Sequence, residues 1–194
     1  MAYTGSNMKE NVSTTRGVQG GYIFRAATTV ADVPTDSSWT PSDAGWLCLG
    51  YIPEDGFTEG VSQESNTALR DINRDLLDDV SGSFTETLNV AFMEIKKDAL
   101  AVYYGSGNVT DSAGKLTVEH NWGNSDEEMQ YALLLLLKND RKWVKHIPKG
   151  KVTDRADFTG NKTTAAQHEV TITYIADEDG VTAYDYFEST ETSS

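Results

Sequence analysis

A mainly β fold with one short flanking helix is what this sequence predicts, and three stretches carry the prediction. Over residues 83–93 polar and apolar side chains alternate. Phe84, Leu88, Val90 and Phe92 fall on one face together with Glu86, while Ser83, Thr85, Thr87 and Asn89 fall on the other. A period of two marks a half-buried strand, and this one is about twice the usual five or six residues. With small hydroxyl and amide groups outside, such a strand projects beyond an ordinary core or joins a larger sheet. Over residues 96–104 the period changes. Ile95, Ala99, Val102 and Tyr103 share a helical face, and Gly105-Ser106-Gly107 supplies the glycine stop. Residues 131–137 are apolar on both faces, which periodicity alone leaves open between a strand and a helical turn. Their short run, with Lys138-Asn139-Asp140 behind it, favours a central strand covered on both sides. One face of the sheet then carries the helix and the other a second sheet or layer.

The remaining elements follow in order. Residues 1–19 are polar and without period, an extended arm ordered only if something holds it. Residues 20–27 read as the first strand, 33–41 as loop, and 46–52 as a second strand closed by Pro53-Glu54-Asp55-Gly56. Residues 58–65 alternate weakly, with Phe57, Glu59, Val61 and Gln63 on one side and Thr58, Ser62 and Glu64 on the other. Residues 70–80 hold Asp71, Asp75, Asp78 and Asp79 with Arg70 and Arg74, and read as a solvated loop. Leu76 and Leu77 at such a tip invite burial by a partner, so an intersubunit contact is the competing reading. Residues 115–119 form a short strand and 120–128 a polar loop. Residues 142–147 lead into Pro148-Lys149-Gly150, a turn or bulge, and then 151–158, with Val152, Ala156 and Phe158 inward. Residues 167–175 place Val170, Ile172 and Tyr174 on one face and Gln167, Glu169, Thr171 and Thr173 on the other. A turn at 176–180 and a last strand at 181–187 complete the chain.

The 194 residues suffice for one core. The expected division is an arm over 1–19, a single β domain over 20–187 and a disordered tail over 188–194. The single cysteine, Cys48, cannot form an internal disulfide and reads as a small buried hydrophobe. The start of the chain lacks the basic and apolar run of a secretory signal. No apolar run approaches the roughly 20 residues that cross a bilayer, so a soluble product made inside a cell is expected. The net charge of −14, from 30 acids against 16 bases, argues against gripping nucleic acid through its phosphates. Acidity of this kind serves solubility, or a surface meant to stay off another polyanion.

Motif chemistry is missing. His120, His146 and His168 stand far apart, in no ligand spacing with Cys48 or each other. There is no phosphate-binding loop and no Gly-x-Ser-x-Gly. Gly105-Ser106-Gly107 ends a helix instead of opening one, which fails the dinucleotide context. Carboxylates are plentiful, yet nothing selects a catalytic pair. No catalytic, cofactor or metal residue is therefore nominated. The four tryptophans and nine tyrosines keep open a carbohydrate-binding β-sandwich module that stacks sugars on rings.

Three pieces together bring a family into view: residues 83–93 followed by 94–105, then Ile147-Pro148-Lys149-Gly150-Lys151-Val152, then the alternating strand 169–175 with an acidic turn. In this order the chain resembles the major tail tube proteins of long-tailed, non-contractile, siphovirus-like bacteriophages, over roughly residues 18–187. The resemblance implies a β-sandwich or barrel flanked by a helix, with long hairpins that join an inter-subunit barrel. Such subunits form hexameric rings stacked into the tube through which DNA leaves the capsid. The two hairpins expected to enter that barrel are 58–65 with 83–93, and 151–158 with 167–175. A barrel of about 24 strands, spaced roughly 4.8 Å and tilted about 45°, is on the order of 50 Å across, enough for a duplex.

On this resemblance Thr58, Ser62, Glu64, Thr85, Thr87, Asn89, Glu169, Thr171 and Thr173 line the lumen. They offer phosphates no counterion replacement, so DNA slides without sequence-specific binding. Arg70, Asp71, Arg74, Leu76, Leu77, Asp78 and Asp79, together with the arm, are candidates for inter-ring contact. Lys151 and Arg155 are candidates for pairing with acids at a subunit boundary. The implied partners are further copies of the chain and the tape-measure, tail-tip and tail-terminator proteins, with no membrane and no cofactor. The implied place is the virion, after synthesis in the host cytoplasm. The related tube of type VI secretion shares the implied architecture and differs in cargo.

Overall fold

The computed structural model describes residues 12–42, 45–65, 67–80, 82–124, 127–158, 162–163 and 165–189. In chain order these form β1 (Arg16–Gly17), β2 (Ile23–Ala27), β3 (Leu47–Cys48), β4 (Phe57–Gln63), β5 (Thr67–Arg70), β6 (Leu76–Val80), β7 (Phe84–Phe92), α1 (Lys97–Tyr104), β8 (Val109–Ser112), β9 (Lys115–Val118), β10 (Glu128–Leu136), β11 (Lys142–Arg155), β12 (His168–Tyr174) and β13 (Tyr184–Phe187). The main sheet is antiparallel and runs β3-β2-β10-β11-β12-β7-β4, with β1 on β10 and β13 on β11. The predicted mainly β class with one α-helix is what the chain forms.

β11 organises the architecture. Residues 142–158 were expected to be two strands around a turn or bulge, and they form one strand of 14 residues. The break is a bulge. Ile147 faces Tyr131 while Gly150 faces Met129, so three steps on β11 oppose two on β10. Pro148 has no N–H to lose there, which is why a proline is tolerated inside a long strand. Before the bulge β11 pairs with β10 and β13; from Gly150 onward it pairs with β12. The strand thus passes from one half of the sheet to the other, and the two halves close on each other as a sandwich.

The main core lies between them. Ile23, Tyr131, Leu133, Leu135 and Ile147 from the first half meet Leu88, Val90, Phe92, Val152, Val170, Ile172 and Tyr174 from the second, with Ala99, Val102 and Tyr103 of α1 at one end. Burying each large side chain is worth about 1.5–3 kcal/mol. Gly150 pairs with Met129 of β10 and with Tyr174 of β12. A Cβ there would lie 2.8 Å from Ile172 Cγ2 and 3.1 Å from the Tyr131 ring. α1 stops as expected at Gly105, whose φ of 93° suits glycine, with its N–H on the Ala101 carbonyl at 2.9 Å.

β10 is covered on both faces, as its composition predicts. Its second face buries Ala132 and Leu134 with Phe24, Ala26, Trp46 and Val144. The cover is a loop, where a second sheet or layer was the expectation. Trp46 Nε1 donates to the Asp32 carbonyl at 2.6 Å and meets Trp39 edge to face. Beneath the loop, Gln130 Nε2 donates to the carbonyls of Ala27 and Val30 at 2.8 and 2.9 Å, and Gln130 Oε1 lies 3.1 Å from His146 Nε2.

Several boundaries move. The first strand begins at Ile23, and the expected strand over 46–52 shrinks to Leu47–Cys48 at the sheet edge. Residues 58–65 and 181–187 shorten to β4 and β13. The acidic stretch 70–80 is no loop: β5 and β6 form a hairpin around it. β8 pairs with β9, a hairpin whose first strand follows the helix after Gly105 and a 3-10 turn over Ser106–Asn108. Phe84, Ile95 and Phe158, all placed on inward faces, are 67%, 67% and 52% exposed. Phe84 lies beyond the end of the core, Ile95 precedes the helix, and Phe158 follows the end of β11. In the arm, Arg16 and Gly17 pair with Leu136 and Leu135, so its last part is held by the chain's own sheet. Residues 1–11 lie outside the described residues. In the tail, the Glu188 N–H bonds to the Lys142 carbonyl at 2.8 Å, and residues 190–194 lie outside the described residues.

Candidate functional site, a polar sheet face with an open edge

The second half of the sandwich is a four-stranded run, β11-β12-β7-β4. Alternation turns its apolar side chains into the core and leaves the other face polar. The registers line that face up in rows. Thr58 stands opposite Asn89, and Asn89 opposite Thr171. One step along, Gly60 faces Thr87, and Thr87 faces Thr173; a further step pairs Ser62 with Thr85. Glu169 stands opposite Ala91. Glu64, just past the end of β4, continues the ladder: its N–H bonds to the Ser83 carbonyl, and its carboxylate accepts the Ser83 hydroxyl at 2.9 Å.

The two hairpins singled out from sequence are therefore adjacent members of one sheet, and the nine residues chosen for a polar face share it. Neighbours on it bond to one another. Asn89 Nδ2 donates to Thr171 Oγ1 at 3.3 Å, and the hydroxyls of Thr153 and Thr173 are 2.7 Å apart. Thr153, at a register shift between Val152 and Asp154 against β12, joins the same rows. Among the described residues β4 pairs on one edge only, with β7, and the end of β11 from Val152 to Arg155 pairs only with β12. Among the described residues no second strand therefore pairs on the outer edge of β4 or on Val152–Asp154 of β11, and an edge of that kind is a template for another strand.

Beyond the core the β4–β7 ribbon continues without cover. Val61 and Phe84 point to the core side yet are each 67% exposed. The β5–β6 hairpin follows, and Asp71 shapes its tip. The Asp71 carboxylate accepts the N–H groups of Asn73 and Asp75 at 2.9 and 2.8 Å, and Arg74 takes a positive φ of 70°. Arg70 donates to the Arg74 carbonyl at 3.0 Å. Asp71 and Arg70 thus build the turn, while Leu69, Ile72, Leu76 and Leu77 stand exposed, Ile72 almost completely. Arg74 and Asp78 lie at the surface of the same hairpin; Asp79 pairs through its backbone with Ala68.

The two cations nominated for a boundary differ. Lys151 is half-buried in β11, opposite Glu128 on one side and Thr173 on the other. Arg155 turns towards α1: its Nε donates to the Tyr103 carbonyl at 2.5 Å and its guanidinium lies over the Trp122 ring at 5.6 Å. The tryptophans are engaged by the chain itself. Trp39 packs on Trp46, Trp143 stacks on Phe187, and Trp122 stacks on Tyr104. His146 is buried, and burial lowers its pKa to about 4; burial also lowers that of His168, which packs among Tyr103, Tyr104 and Phe158. The described residues hold no group of three or more His, Cys, Asp or Glu side chains able to bind a metal ion, and no helix long and apolar enough to cross a membrane.

A family model described as phage tail tube protein matches residues 8–193. No curated protein matches the chain. Among solved structures, a chain of the virion of native gene transfer agent (GTA) particle is similar at 11% identity and a TM-score of 0.39, covering 74% of this chain and 89% of that one. The family match spans the polar face, its open edge and the exposed hairpin alike, and the chain belongs to the phage tail tube protein family, a structural component of the virion.

Proposed function

We propose that six copies of this chain close into a ring, and that stacked rings form the tube of a long, non-contractile, siphovirus-like tail. The observation that carries this is the polar face of β11-β12-β7-β4, where among the described residues no second strand pairs on the outer edge of β4 or on Val152–Asp154 of β11. Six such four-stranded runs amount to about 24 strands around a lumen on the order of 50 Å across the backbone. Ring closure seats the β4 edge of one copy against the end of β11 in the next and removes both exposed edges. Lys151 then lies at that boundary. Thr58, Ser62, Glu64, Thr85, Thr87, Asn89, Glu169, Thr171 and Thr173 face the lumen, where neutral hydroxyls and scattered carboxylates give DNA nothing to displace its counterions.

The β5–β6 hairpin supplies contact between rings, with Leu76, Leu77 and Ile72 buried against the neighbouring ring. Tape-measure, tail-tip and tail-terminator proteins are the further partners of the stack. This role is mechanical and asks for no catalytic group. The test is negative-stain electron microscopy of the purified chain over a concentration series, beside light scattering for mass. Rings or hollow tubes of six-subunit mass per layer are expected. A monomer at every concentration, both alone and with tail-tip complexes, refutes the reading.

A further inference from the structure

One buried charge has no part in the polar face or the exposed hairpin. Lys145 lies on β11 before the bulge, two residues from Ile147, and points to the same core side. Its side chain is 6% exposed. The ammonium is 2.9 Å from Glu59 Oε1 on β4 and 2.8 Å from Asp185 Oδ2 on β13. Tyr174 on β12 donates its hydroxyl to the same Glu59 oxygen at 2.7 Å. Trp143 Nε1 holds the other Asp185 oxygen at 2.6 Å, and Thr182 donates to Glu86 on β7. Burial works to lower the pKa of Lys145, but the two carboxylates outweigh it and hold the ammonium's pKa above its usual value.

The place of this cluster gives it meaning. β4 and β13 belong to opposite halves of the sandwich, and neither is hydrogen-bonded to the other through the backbone. Among the described residues each is tied to one strand, β4 to β7 and β13 to β11. Lys145 joins them across the gap. Glu59 is the last residue of β4 with a side chain fastened to the body in this way; the next core-side residue, Val61, is exposed. A cavity of about 150 Å³ lined by Glu59, Val61, Glu86, Thr182 and Asp185 leaves β4 room to shift once that fastening goes. Buried ion pairs contribute little net stability and an apolar replacement is often neutral or better, so their best-attested use is to specify one arrangement.

We propose that Lys145 is a positioning residue for assembly: held between Glu59 and Asp185, it sets the angle at which the β4 edge is presented to the next copy. The inference rests on the ring proposed above. Its test uses the full-length chain as wild type, Lys145→Met, Glu59→Gln and the double variant. In the unassembled Glu59→Gln chain, where Lys145 keeps Asp185, the melting temperature is expected within about 5 °C of wild type. Lys145→Met leaves two carboxylates facing each other and is expected to melt lower. Amides of β4 are expected to exchange about tenfold faster, with those of β2 unchanged. The concentration needed for rings is expected to rise about tenfold or more, and the double variant to be no worse than Lys145→Met alone.

Rings at the wild-type concentration in both single variants overturn the inference, as does an assembly loss in Glu59→Gln matched by a global fall in its melting temperature. If Lys145→Met does not fold, Glu59→Gln carries the same measurements, since Glu59 is partly hydrated and its amide fills the same space. A wild type that forms no rings refutes the ring itself, a result distinct from rings that ignore the cluster.

Discussion

His146 makes the stability of the chain depend on pH in a way its sequence position does not suggest. The ring is buried against Trp46 and Tyr184, with Nε2 on Gln130 Oε1. Gln130 spends its amide hydrogens on two backbone carbonyls, so its oxygen accepts and His146 Nε2 donates, while burial keeps the ring neutral. Desolvation lowers its pKa from 6.5 to about 4, with Asp177 working weakly in the other direction. The unfolded chain takes up the proton near pH 6.5 and the folded chain does not until about pH 4. Between those values the unfolded state binds more protons, so stability falls as pH falls. The contribution is fully present above pH 6.5 and lost by pH 4. At about 1.4 kcal/mol per pH unit the loss comes to roughly 3 kcal/mol. Urea unfolding of wild type and His146→Gln between pH 7.5 and 4.5 isolates it, because His168 and the carboxylates titrate in both. Wild type is expected to lose about 2.5 kcal/mol more than the variant over that range. Parallel profiles, or a His146 proton titrating near pH 6.5 by NMR in the folded chain, refute the reasoning.

Gly150→Ala drives a methyl into Ile172 and the Tyr131 ring at the crossing of the two halves, and a loss of about 1–3 kcal/mol in thermal unfolding is expected. Leu76→Asp with Leu77→Asp alters side chains already exposed, so monomer stability is expected to stay within about 0.5 kcal/mol. Stacking of rings, scored by tube length in micrographs, is expected to fail. Thr87→Lys with Thr173→Lys places two cations side by side in one row of the polar face. Tubes of this variant are expected to retain duplex DNA at low salt and release it as salt rises, whereas wild-type tubes retain none.

How much of this was readable from the sequence depends on what each residue answers to. β7 and β12 were legible because both sit half-buried in the middle of a sheet, where period two is enforced at every step. β10 was legible because both faces are covered and no polar residue interrupts it between Tyr131 and Leu137. Gly105 announced the helix end through its backbone alone. The polar face followed from those strands, since alternation places Thr87, Asn89, Thr171 and Thr173 together once β7 and β12 pair. β5 and β6 were hidden because, among the described residues, Leu69, Leu76 and Leu77 are all exposed and no core imposes an alternation on them. β11 looked like two strands because Pro148 and Gly150 are turn residues in isolation. Only Tyr131 and Ile172 on neighbouring strands explain why glycine sits there. The Lys145 cluster was out of reach for the same reason, since Glu59 and Asp185 lie 126 positions apart in the chain and meet only when the sandwich closes.

The most direct test of the central claim is a cryo-electron microscopy reconstruction of the assembled protein at side-chain resolution. The account predicts six-fold rings in which β11-β12-β7-β4 of each copy forms one continuous inner barrel, with β4 paired to β11 of the neighbour and Thr87, Asn89, Thr171 and Thr173 on the lumen wall. A reconstruction with that face turned outward, or with β4 unpaired between copies, contradicts it.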